Sequence, residues 1–325
     1  MSLRECYPMD FAQSVVAWQR AHGRHALPWQ GSRDPYRVWL SEVMLQQTQV
    51  ATVIPYYQRF LARFPDVQAL ARASQDEVLR LWSGLGYYAR GRNLHQAAQR
   101  IAAQGFPSTA RDIEALPGVG RSTAAAIAVF AFGERAAILD GNVRRVLARC
   151  FAHSGDLWPL AERLLPSRGI EAYTQGLMDL GATVCSRTRP ACERCPVAKL
   201  CEANRRGWQE RLPAKQARTA LPRKGVTWIV LRHRNRVLVE RRPASGIWGA
   251  LWCFPQGERR AGDRPLQPIE HGFTHFRLRI RPLLREAPAN RRQQGRRWMT
   301  LGELERAAVP TPVRNLIARL RAAGG

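Results

Sequence analysis

Four cysteines crowd into the short segment CSRTRPACERCPVAKLC with the spacing C-x6-C-x2-C-x5-C. They are Cys185, Cys192, Cys195 and Cys201. Four thiolates in one loop can ligate a 4Fe-4S cluster, and nearby arginines would offset part of its negative charge. The same residues can close around a structural zinc ion, so the spacing alone leaves the metal open. The remaining cysteines stand alone and are expected to be small core residues: Cys6, Cys150 and Cys253.

A glutamate lies on the apolar face of the helix predicted for VWLSEVMLQQTQV, residues 38–50. Glu42 comes four residues after Val38 and three before Leu45, so these side chains share one face. Two interpretations stay open at this point. The carboxyl turns to water at the edge of the face, or it is a buried acid whose pKa is raised by burial.

An aspartate precedes the helix predicted for the segment ILDGNVRRVLARC. Asp140 is a favourable N-cap residue, since its side chain can accept hydrogen bonds from the first backbone amides. Capping can leave the second carboxylate oxygen available to a ligand, and Gly141 would allow that ligand a close approach. Structural capping and catalysis are therefore both compatible with this position.

The segment LPGVGRSTAAAIAVFAFG places two glycines immediately before an alanine-rich helix. Gly118 and Gly120 permit a tight hairpin whose backbone amides can approach a phosphate closely. A single G-x-G pattern is an ordinary turn in most proteins. In a strongly basic chain it favours a helix-hairpin-helix element that binds the DNA backbone.

A second glycine-rich turn, in LWSGLGYYARGRNLH, interleaves aromatic and cationic residues. Tyr87 and Tyr88 suit insertion between bases or stacking on them, and Arg90 and Arg92 suit phosphate contacts. Tyrosines that pack into the core explain the same pattern.

The elements that position these residues change type along the chain. Helical spacing predominates from Phe11 to about Arg205, and a basic, proline-containing segment follows it. Beyond this segment VTWIVLRHRNRVLVERR predicts a hairpin, FTHFRLRIRPLL a half-exposed strand and VRNLIARLRAA a helix. The chain is therefore predicted to join a mainly α domain to a smaller α+β domain. The predicted boundaries are 1–205, with a helix-hairpin-helix at about 113–133 and a metal loop at 185–201, then a linker at 206–224 and the second domain at 225–325.

The charge of the chain indicates a polyanionic partner. Its 325 residues include 51 Lys and Arg against 25 Asp and Glu, which gives a net charge of +26. The N-terminal residues lack the apolar core of a signal peptide, and no run of about eighteen apolar residues occurs. The chain has seven cysteines, an odd number, and four of them lie in one short segment, which also argues against a secreted disulfide framework. We therefore expect a cytoplasmic protein with no membrane association.

These motifs, in this order, resemble the endonuclease III superfamily of DNA glycosylases and specifically its adenine DNA glycosylases (MutY). The resemblance covers almost the whole chain, through LPWQ, SEVMLQQTQV, GLGYYARGRNL, LPGVGRSTA, LDGNVRRVL, the four-cysteine loop, SGIWGALWCFP and FTHF. It implies a helical glycosylase domain with a 4Fe-4S loop and a MutT-like (Nudix-like) second domain. It also implies a monomer that excises adenine opposite 8-oxoguanine or guanine in double-stranded DNA, near the nucleoid if the source is bacterial.

The resemblance assigns roles residue by residue. Glu42 matches the family's catalytic glutamate and Asp140 its catalytic aspartate, and the four cysteines match its cluster ligands. The DNA contacts it implies are Gln47, Thr48, Tyr87, Tyr88, Gly118, Val119, Gly120, Ser122 and Asn142. Phe273, Thr274 and His275 match a Phe-Ser-His segment that recognises 8-oxoguanine, with threonine here in place of serine.

Adenine is a poor leaving group as an anion, and protonation makes it a good one. An acid with a raised pKa on an apolar face could supply that proton at neutral pH, which is the role expected of Glu42. Asp140, if ionised, would stabilise the oxocarbenium-like sugar left behind.

Three other functions are distinguishable by sequence. A bifunctional glycosylase and β-lyase needs an amine nucleophile, but Ser122 stands where that branch has lysine, and no lysine precedes Lys199. A non-catalytic DNA-binding or redox module would not need the pair Glu42 and Asp140. Nucleotide hydrolysis by the second domain would need an R-E-x-x-E-E core, whereas Glu258 and Glu270 are the only glutamates between Trp248 and Phe273 and form no such cluster.

Overall fold

The computed structural model describes residues 8–214, 220–287 and 295–322. Cys6 and part of the predicted linker, residues 215–219, lie outside the described residues. The helices are α1 Pro8–His22, α2 Pro35–Leu45, α3 Val50–Arg63, α4 Val67–Arg72, α5 Gln75–Trp82, α6 Tyr88–Gln104, α7 Ala110–Glu114, α8 Arg121–Ile127, α9 Gly141–Cys150, α10 Trp158–Arg163, α11 Ile170–Asp179, α12 Glu202–Arg206, α13 Leu301–Glu305 and α14 Thr311–Ala322. Within the described ranges, no helix combines the length and apolar character needed to cross a membrane.

The helical prediction for the first two-thirds of the chain is confirmed. Helix α2 shows the local reasons, because Asp34 accepts a hydrogen bond from the Tyr36 amide (2.9 Å) and Pro35 occupies the first turn. Helices α8 and α11 each continue into a turn of π-helix, at Ala128–Phe132 and Leu180–Val184. These wider turns occur frequently at functional sites.

The strands form one mixed sheet. They are β1 Arg223–His233, β2 Arg236–Arg241, β3 Trp252–Cys253, β4 Arg264–Pro265, β5 Ile269–Gly272, β6 Arg277–Glu286 and β7 Arg296–Thr300. The long strands β1 and β6 run parallel, with Arg223 opposite Arg277 and Arg232 opposite Glu286. Strand β2 pairs antiparallel with β1, β3 and β7, whereas β4 and β5 pair antiparallel with β6.

The predicted hairpin and C-terminal helix are confirmed as β1–β2 and α14. The strand predicted from FTHF onward is correct only from Arg277. The preceding residues form a tight turn instead, in which the Phe273 amide donates to the Phe276 carbonyl (2.9 Å). Alternation of side chains cannot distinguish a strand from a turn that leads into one.

The chain divides into two compact units that do not follow the sequence order. The first contains the described residues of Met1–Gln58 and Gln96–Ala217, and the second those of Arg59–His95 and Arg218–Gly325. Segment 59–95 therefore packs with the sheet. The domain boundaries predicted from the sequence stay a prediction.

Candidate active site and DNA-binding elements

Glu42 lies on α2 among side chains that are almost all buried, including Val38, Ser41 and Val43. It lines a cavity of about 460 Å³. This volume is within the range of roughly 300–1,000 Å³ that small-molecule sites occupy. Besides Glu42, the walls include Trp29, Gln30, Val38, Ser41, Phe130 and Gln175. Phe130 enters this wall from the π-helical turn that follows α8.

Burial, and to a smaller extent the negative charge of Asp140, raise the pKa of Glu42 to about 8. Both effects disfavour the ionised carboxylate, the first by removing water and the second by repulsion. Glu42 is therefore a carboxylic acid that holds its proton at neutral pH. The structure supports the buried-acid interpretation of this residue over the surface one.

Asp140 caps α9 with one of its two oxygens. Its Oδ1 accepts hydrogen bonds from the amides of Asn142 and Val143, each at 2.8 Å. Oδ2 accepts none from the described residues. The carboxylate is half-buried, so this second oxygen can face a ligand while the first fixes the side chain.

Ser122 fixes the segment that precedes Asp140 by a hydrogen bond. Its hydroxyl accepts a hydrogen bond from the Leu139 amide at 2.9 Å. This hydrogen bond connects α8 to the residue before Asp140. The position matched to a DNA contact therefore has a structural role in this protein.

Helix α9 connects Asp140 to the cysteine loop through two buried arginines. Arg145 donates from Nε to the Cys185 carbonyl (2.8 Å) and from Nη2 to both Asn142 Oδ1 (2.8 Å) and the Gly181 carbonyl. Arg149, one turn later, donates to the Ser186 carbonyl (2.7 Å). These arginines were not predicted, because nothing in a helical pattern distinguishes a buried arginine from a solvated one.

Gly181 allows α9 to pack closely against the π-helical turn that follows α11. A Cβ at Gly181 would lie 2.6 Å from Asn142 Cβ, which no real contact allows. The predicted DNA-contact residue Asn142 is thus packed against the π-helical turn that follows α11. The cysteine loop begins at the end of this turn, with Cys185.

The four cysteines of the loop line one small cavity of about 20 Å³ beside Cys150. None of these four forms a disulfide with another described cysteine. Arg149 Nη1 lies 3.4 Å from Cys185 Sγ, and Gln209 Nε2 lies 3.8 Å from Cys192 Sγ. Hydrogen-bond donors directed at the sulfurs suit thiolates that carry negative charge. In the described part of the chain, no three His, Cys, Asp or Glu side chains gather as closely as ligands of a single ion do.

The glycines of the predicted hairpin connect α7 to α8. Gly118 has φ +77°, a left-handed conformation that favours glycine, and Gly120 is the N-cap of α8 with open space where a Cβ would lie. Val119 between them is buried. The hairpin thus presents backbone and no side chain at Gly120.

The loop after α2 lies against this hairpin. Gln46 Nε2 is 3.3 Å from both the Gly118 carbonyl and Thr123 Oγ1. Gln47 is exposed with φ +54°, and the Thr48 amide donates to Leu45 (3.2 Å). The two predicted DNA contacts of this loop are therefore adjacent to the hairpin in the first unit.

The tyrosine turn belongs to the second unit and separates its two tyrosines. Tyr87 has φ +46° and is 49% exposed, whereas Tyr88 is buried and donates its hydroxyl to the Val309 carbonyl (3.1 Å). The guanidinium of Arg90 lies 5.4 Å from the ring centroids of both Tyr87 and Trp82. Tyr87 is thus accessible at the surface, and Tyr88 anchors the turn.

The Phe273–Phe276 turn is also part of the second unit. Phe273 stacks on Phe276, with centroids 4.4 Å apart and planes at 19°. Thr274 and His275 at its tip are exposed. An aromatic cluster supports the turn from behind, and its members Trp228, Trp248 and His271 were not predicted as a group.

Comparison with known proteins agrees with both halves of this description. Residues 40–165 match the model of the HhH-GPD superfamily of base excision DNA repair proteins, and residues 226–319 match the NUDIX domain. The chain is similar to a thermostable thymine-DNA glycosylase of known structure, with a TM-score of 0.57 and 29% identity over 61% of this chain and 97% of that one. Endonuclease III in a non-covalent complex with DNA shares the fold, with a TM-score of 0.55 and 19% identity over 64% of this chain and 99% of that one.

Two curated relatives match over greater lengths. The adenine DNA glycosylase of Buchnera aphidicola subsp. Baizongia pistaciae is 34% identical over 340 residues, which cover 96% of this chain and 97% of that protein. The adenine DNA glycosylase of Homo sapiens is 34% identical over 399 residues, which cover 94% of this chain and 73% of that protein. Because this identity extends across both the helical and the sheet-containing parts, the chain belongs to the adenine DNA glycosylase family.

Proposed function

We propose that this protein hydrolyses the bond between adenine and deoxyribose in double-stranded DNA, where the adenine is opposite 8-oxoguanine or guanine. The observation that carries the proposal is a carboxylic acid, Glu42, with a pKa of about 8 in a cavity of about 460 Å³. Adenine turned out of the duplex would enter this cavity, at a cost of roughly a few kcal/mol for unstacking.

The proton of Glu42 drives departure of the base. Transfer of that proton to a ring nitrogen of adenine lets the base leave as a neutral molecule, while the electrons of the glycosidic bond go with it. The sugar that remains has oxocarbenium character. The free Oδ2 of Asp140 would stabilise this positive charge.

Water completes the reaction. Glu42 is a carboxylate once it has given up its proton, and in that form it can accept a proton from the attacking water. The product is an abasic site with an intact strand. Strand cleavage would need an amine nucleophile, and no lysine occurs before Lys199. The proposed enzyme is therefore monofunctional.

We assign the cysteine loop as the site of a 4Fe-4S cluster. The ligands of a cluster each bind a different iron atom, so they stand further apart than the ligands of one ion. The four cysteines line one cavity, with Arg149 Nη1 near Cys185 Sγ and Gln209 Nε2 near Cys192 Sγ, which supports this assignment. Such a cluster would hold the 185–201 loop in a fixed shape. Arg145 and Arg149 would hold α9 and Asp140 against it.

The DNA contacts are proposed for two sets of residues. The hairpin Gly118–Gly120 and the adjoining loop with Gln47 and Thr48 belong to the first unit. Tyr87 and the turn with Thr274 and His275 belong to the second, and we assign recognition of the oxidised base to this set. Their exposed, aromatic or hydrogen-bonding character supports the assignment.

A single-turnover excision assay tests the proposal. The substrates are duplexes with adenine opposite 8-oxoguanine, adenine opposite guanine, and thymine glycol opposite adenine, each analysed before and after alkali. We expect adenine loss that yields strand breaks only after alkali. Glu42→Gln should lower the rate by about 10²–10⁴-fold, the usual contribution of a general acid.

Glu286→Gln is the matched control, because Glu286 is an exposed glutamate that pairs with Arg232 in the sheet. It should retain the wild-type rate. Strand breaks at thymine glycol without alkali, together with a covalent adduct trapped by borohydride, would instead place the protein among the lyases.

A further inference from the structure

The tyrosine turn and the Phe273–Phe276 turn are connected by an arginine on α6. This helix begins at Tyr88, directly after the exposed Tyr87, so contacts on its first turns fix the position of Tyr87. Arg92 is half-buried on the second turn and donates from Nη1 to the Gly249 carbonyl at 2.9 Å.

The acceptor of this hydrogen bond lies in a tightly folded segment. Trp248 and Ala250 have φ of +54° and +62°, so both residues that flank Gly249 are left-handed. A Cβ at Gly249 would lie 2.2 Å from the Ala244 carbonyl oxygen. Residues other than glycine rarely adopt this backbone conformation, and it persists only where surrounding contacts hold it. The guanidinium of Arg92 is one such contact.

The side chain that this segment presents belongs to the aromatic cluster. Trp248 has ring centroids 5.7 Å from Phe273 and 5.7 Å from His271. Phe273 begins the turn that exposes Thr274 and His275, and it stacks on Phe276 at the other end. A shift of the Trp248 backbone would therefore move the turn.

A second set of hydrogen bonds fixes the other side of Tyr87. Ser83 Oγ and Tyr88 Oη both donate to the Val309 carbonyl, at 2.8 and 3.1 Å. Arg314 donates in turn to Ser83 Oγ (2.8 Å). The chain is thus held to the sheet-containing part before and after Tyr87, and Arg92 extends this attachment to Gly249.

We infer that Arg92 is a positioning residue that sets the spacing between Tyr87 and the Phe273–Phe276 turn, and that this spacing determines the preference for 8-oxoguanine over guanine. The inference rests on the proposed function, in which both turns contact the oxidised base. The two bases differ only by an oxygen at C8 and the position of one hydrogen, which is on N7 in 8-oxoguanine, so their discrimination needs donors and acceptors held to a fraction of an ångström. Arg92 itself touches neither DNA nor reacting atoms in this account.

The test compares binding with catalysis. The probes are duplexes that carry 2′-fluoro-2′-deoxyadenosine, which resists excision, opposite either 8-oxoguanine or guanine. Equilibrium affinities give the preference without any turnover, and single-turnover rates on the cleavable duplexes are measured beside them. The variants are Arg92→Met, which keeps the stem and removes the donors, and Arg92→Lys, which keeps one donor and the charge.

Arg236→Met is the control. Arg236 also donates to a backbone carbonyl, that of Trp298 (3.1 Å), but it begins β2, where it pairs with β1 and β7 and lies 3.6 Å from Glu303. Its loss removes the same charge as the loss of Arg92. Any general weakening of DNA binding by charge is therefore common to both variants.

We expect Arg92→Met to reduce the affinity ratio for 8-oxoguanine over guanine about tenfold, with affinity for the guanine duplex close to that of Arg236→Met. Arg92→Lys should recover part of the ratio. An unchanged ratio in Arg92→Met, an equal loss of affinity for both duplexes, or a wild-type protein without any preference would each overturn the inference. Failure of the proposed function would be seen separately, as absence of adenine release by the wild type whatever the affinity ratio.

Discussion

At the scale of single residues, the ionisation of Glu42 gives the proposed chemistry a definite pH dependence. Its pKa of about 8 means that the acid form predominates at pH 7 and declines as pH rises through 8. Bound DNA is a polyanion and favours the protonated form further. We expect the single-turnover rate of adenine excision to be flat from pH 6 to 7 and to fall about tenfold per pH unit well above the pKa. Rates measured at saturating enzyme from pH 6 to 9.5 would check this, and a rate that increases through pH 8 would contradict it.

The same carboxyl should cost stability at alkaline pH. The pKa is raised from 4.5 to about 8, so the folded chain retains a proton that the unfolded chain loses between these values. The free energy of unfolding therefore decreases as pH rises through this window, and the full cost is present above 8.

Replacement of Glu42 by glutamine removes this cost. Each pKa unit corresponds to about 1.4 kcal/mol, and partial exposure to the cavity reduces the effect, so we expect a gain of about 1–3 kcal/mol at pH 9. The gain should vanish at pH 4. Urea unfolding of both proteins at the two pH values measures it, with Glu286→Gln as a control that shows no such trend. Equal stability at pH 9 would mean that Glu42 is solvated.

At the scale of elements, the hairpin between α7 and α8 separates two reasons for glycine. Gly118 has φ +77°, so Gly118→Ala should lower the free energy of unfolding by about 1 kcal/mol through backbone strain. Gly120 has φ −100° and open space for a Cβ, so Gly120→Ala causes neither strain nor a clash and should cost only the weaker N-cap preference of alanine, roughly 0.5 kcal/mol.

DNA binding distinguishes the two variants further. A methyl group at position 120 would occupy space that a phosphate needs to approach the hairpin amides, so Gly120→Ala should weaken affinity several-fold on any sequence. Thermal unfolding and equilibrium titration with an undamaged duplex measure the two effects. Normal affinity in Gly120→Ala would show that the backbone of the DNA does not approach this side of the hairpin.

Because α9 contacts the cysteine loop through Arg145 and begins at Asp140, loss of order in the loop should also displace Asp140. Arg145→Met would leave the Cys185 and Gly181 carbonyls without this donor, and buried acceptors without partners cost about 1–3 kcal/mol each. We expect lower thermal stability, less iron per chain and slower adenine excision. Arg144→Met, at the exposed neighbouring position, should change none of these by much. If an iron-depleted Arg145→Met protein excised adenine at the wild-type rate, the cysteine loop would have no influence on the catalytic site.

The sequence predicted elements whose signal is local. Helical spacing placed Glu42 on an apolar face, capping placed Asp140 at the start of α9, and two β-branched runs predicted the hairpin of β1 and β2; the catalytic roles came from the family resemblance. Contacts between distant residues had no such signal. Arg92 and Gly249 are separated by 157 positions and Ser83 and Val309 by 226, and each contact joins a side chain to a backbone carbonyl, which every residue has. The turn at Phe273–Phe276 was missed for the related reason that its alternation continues into β6.

At the scale of the whole molecule, the sheet-containing part supports a segment that precedes it by more than a hundred residues. Segment 59–95 carries Tyr87 and belongs to the same compact unit as residues 218–325. Asp76 pairs with Arg241 there (3.3 Å), in addition to the hydrogen bonds of Ser83, Tyr88 and Arg92. Loss of the sheet would therefore affect this segment as well as the turn with Thr274 and His275.

Truncation after Arg223 tests this dependence. Glu42 and Asp140 belong to the other unit, so adenine excision should remain detectable, whereas the preference for 8-oxoguanine over guanine should fall. The truncated chain should also unfold at a lower temperature, because the buried hydroxyls of Ser83 and Tyr88 lose their acceptor at Val309. Single-turnover rates on both duplexes and thermal unfolding measure these effects. If the truncated chain keeps the preference, Tyr87 and its own helices are sufficient for recognition. If it loses both the preference and adenine excision, segment 59–95 depends on the sheet for its fold as well as for its position.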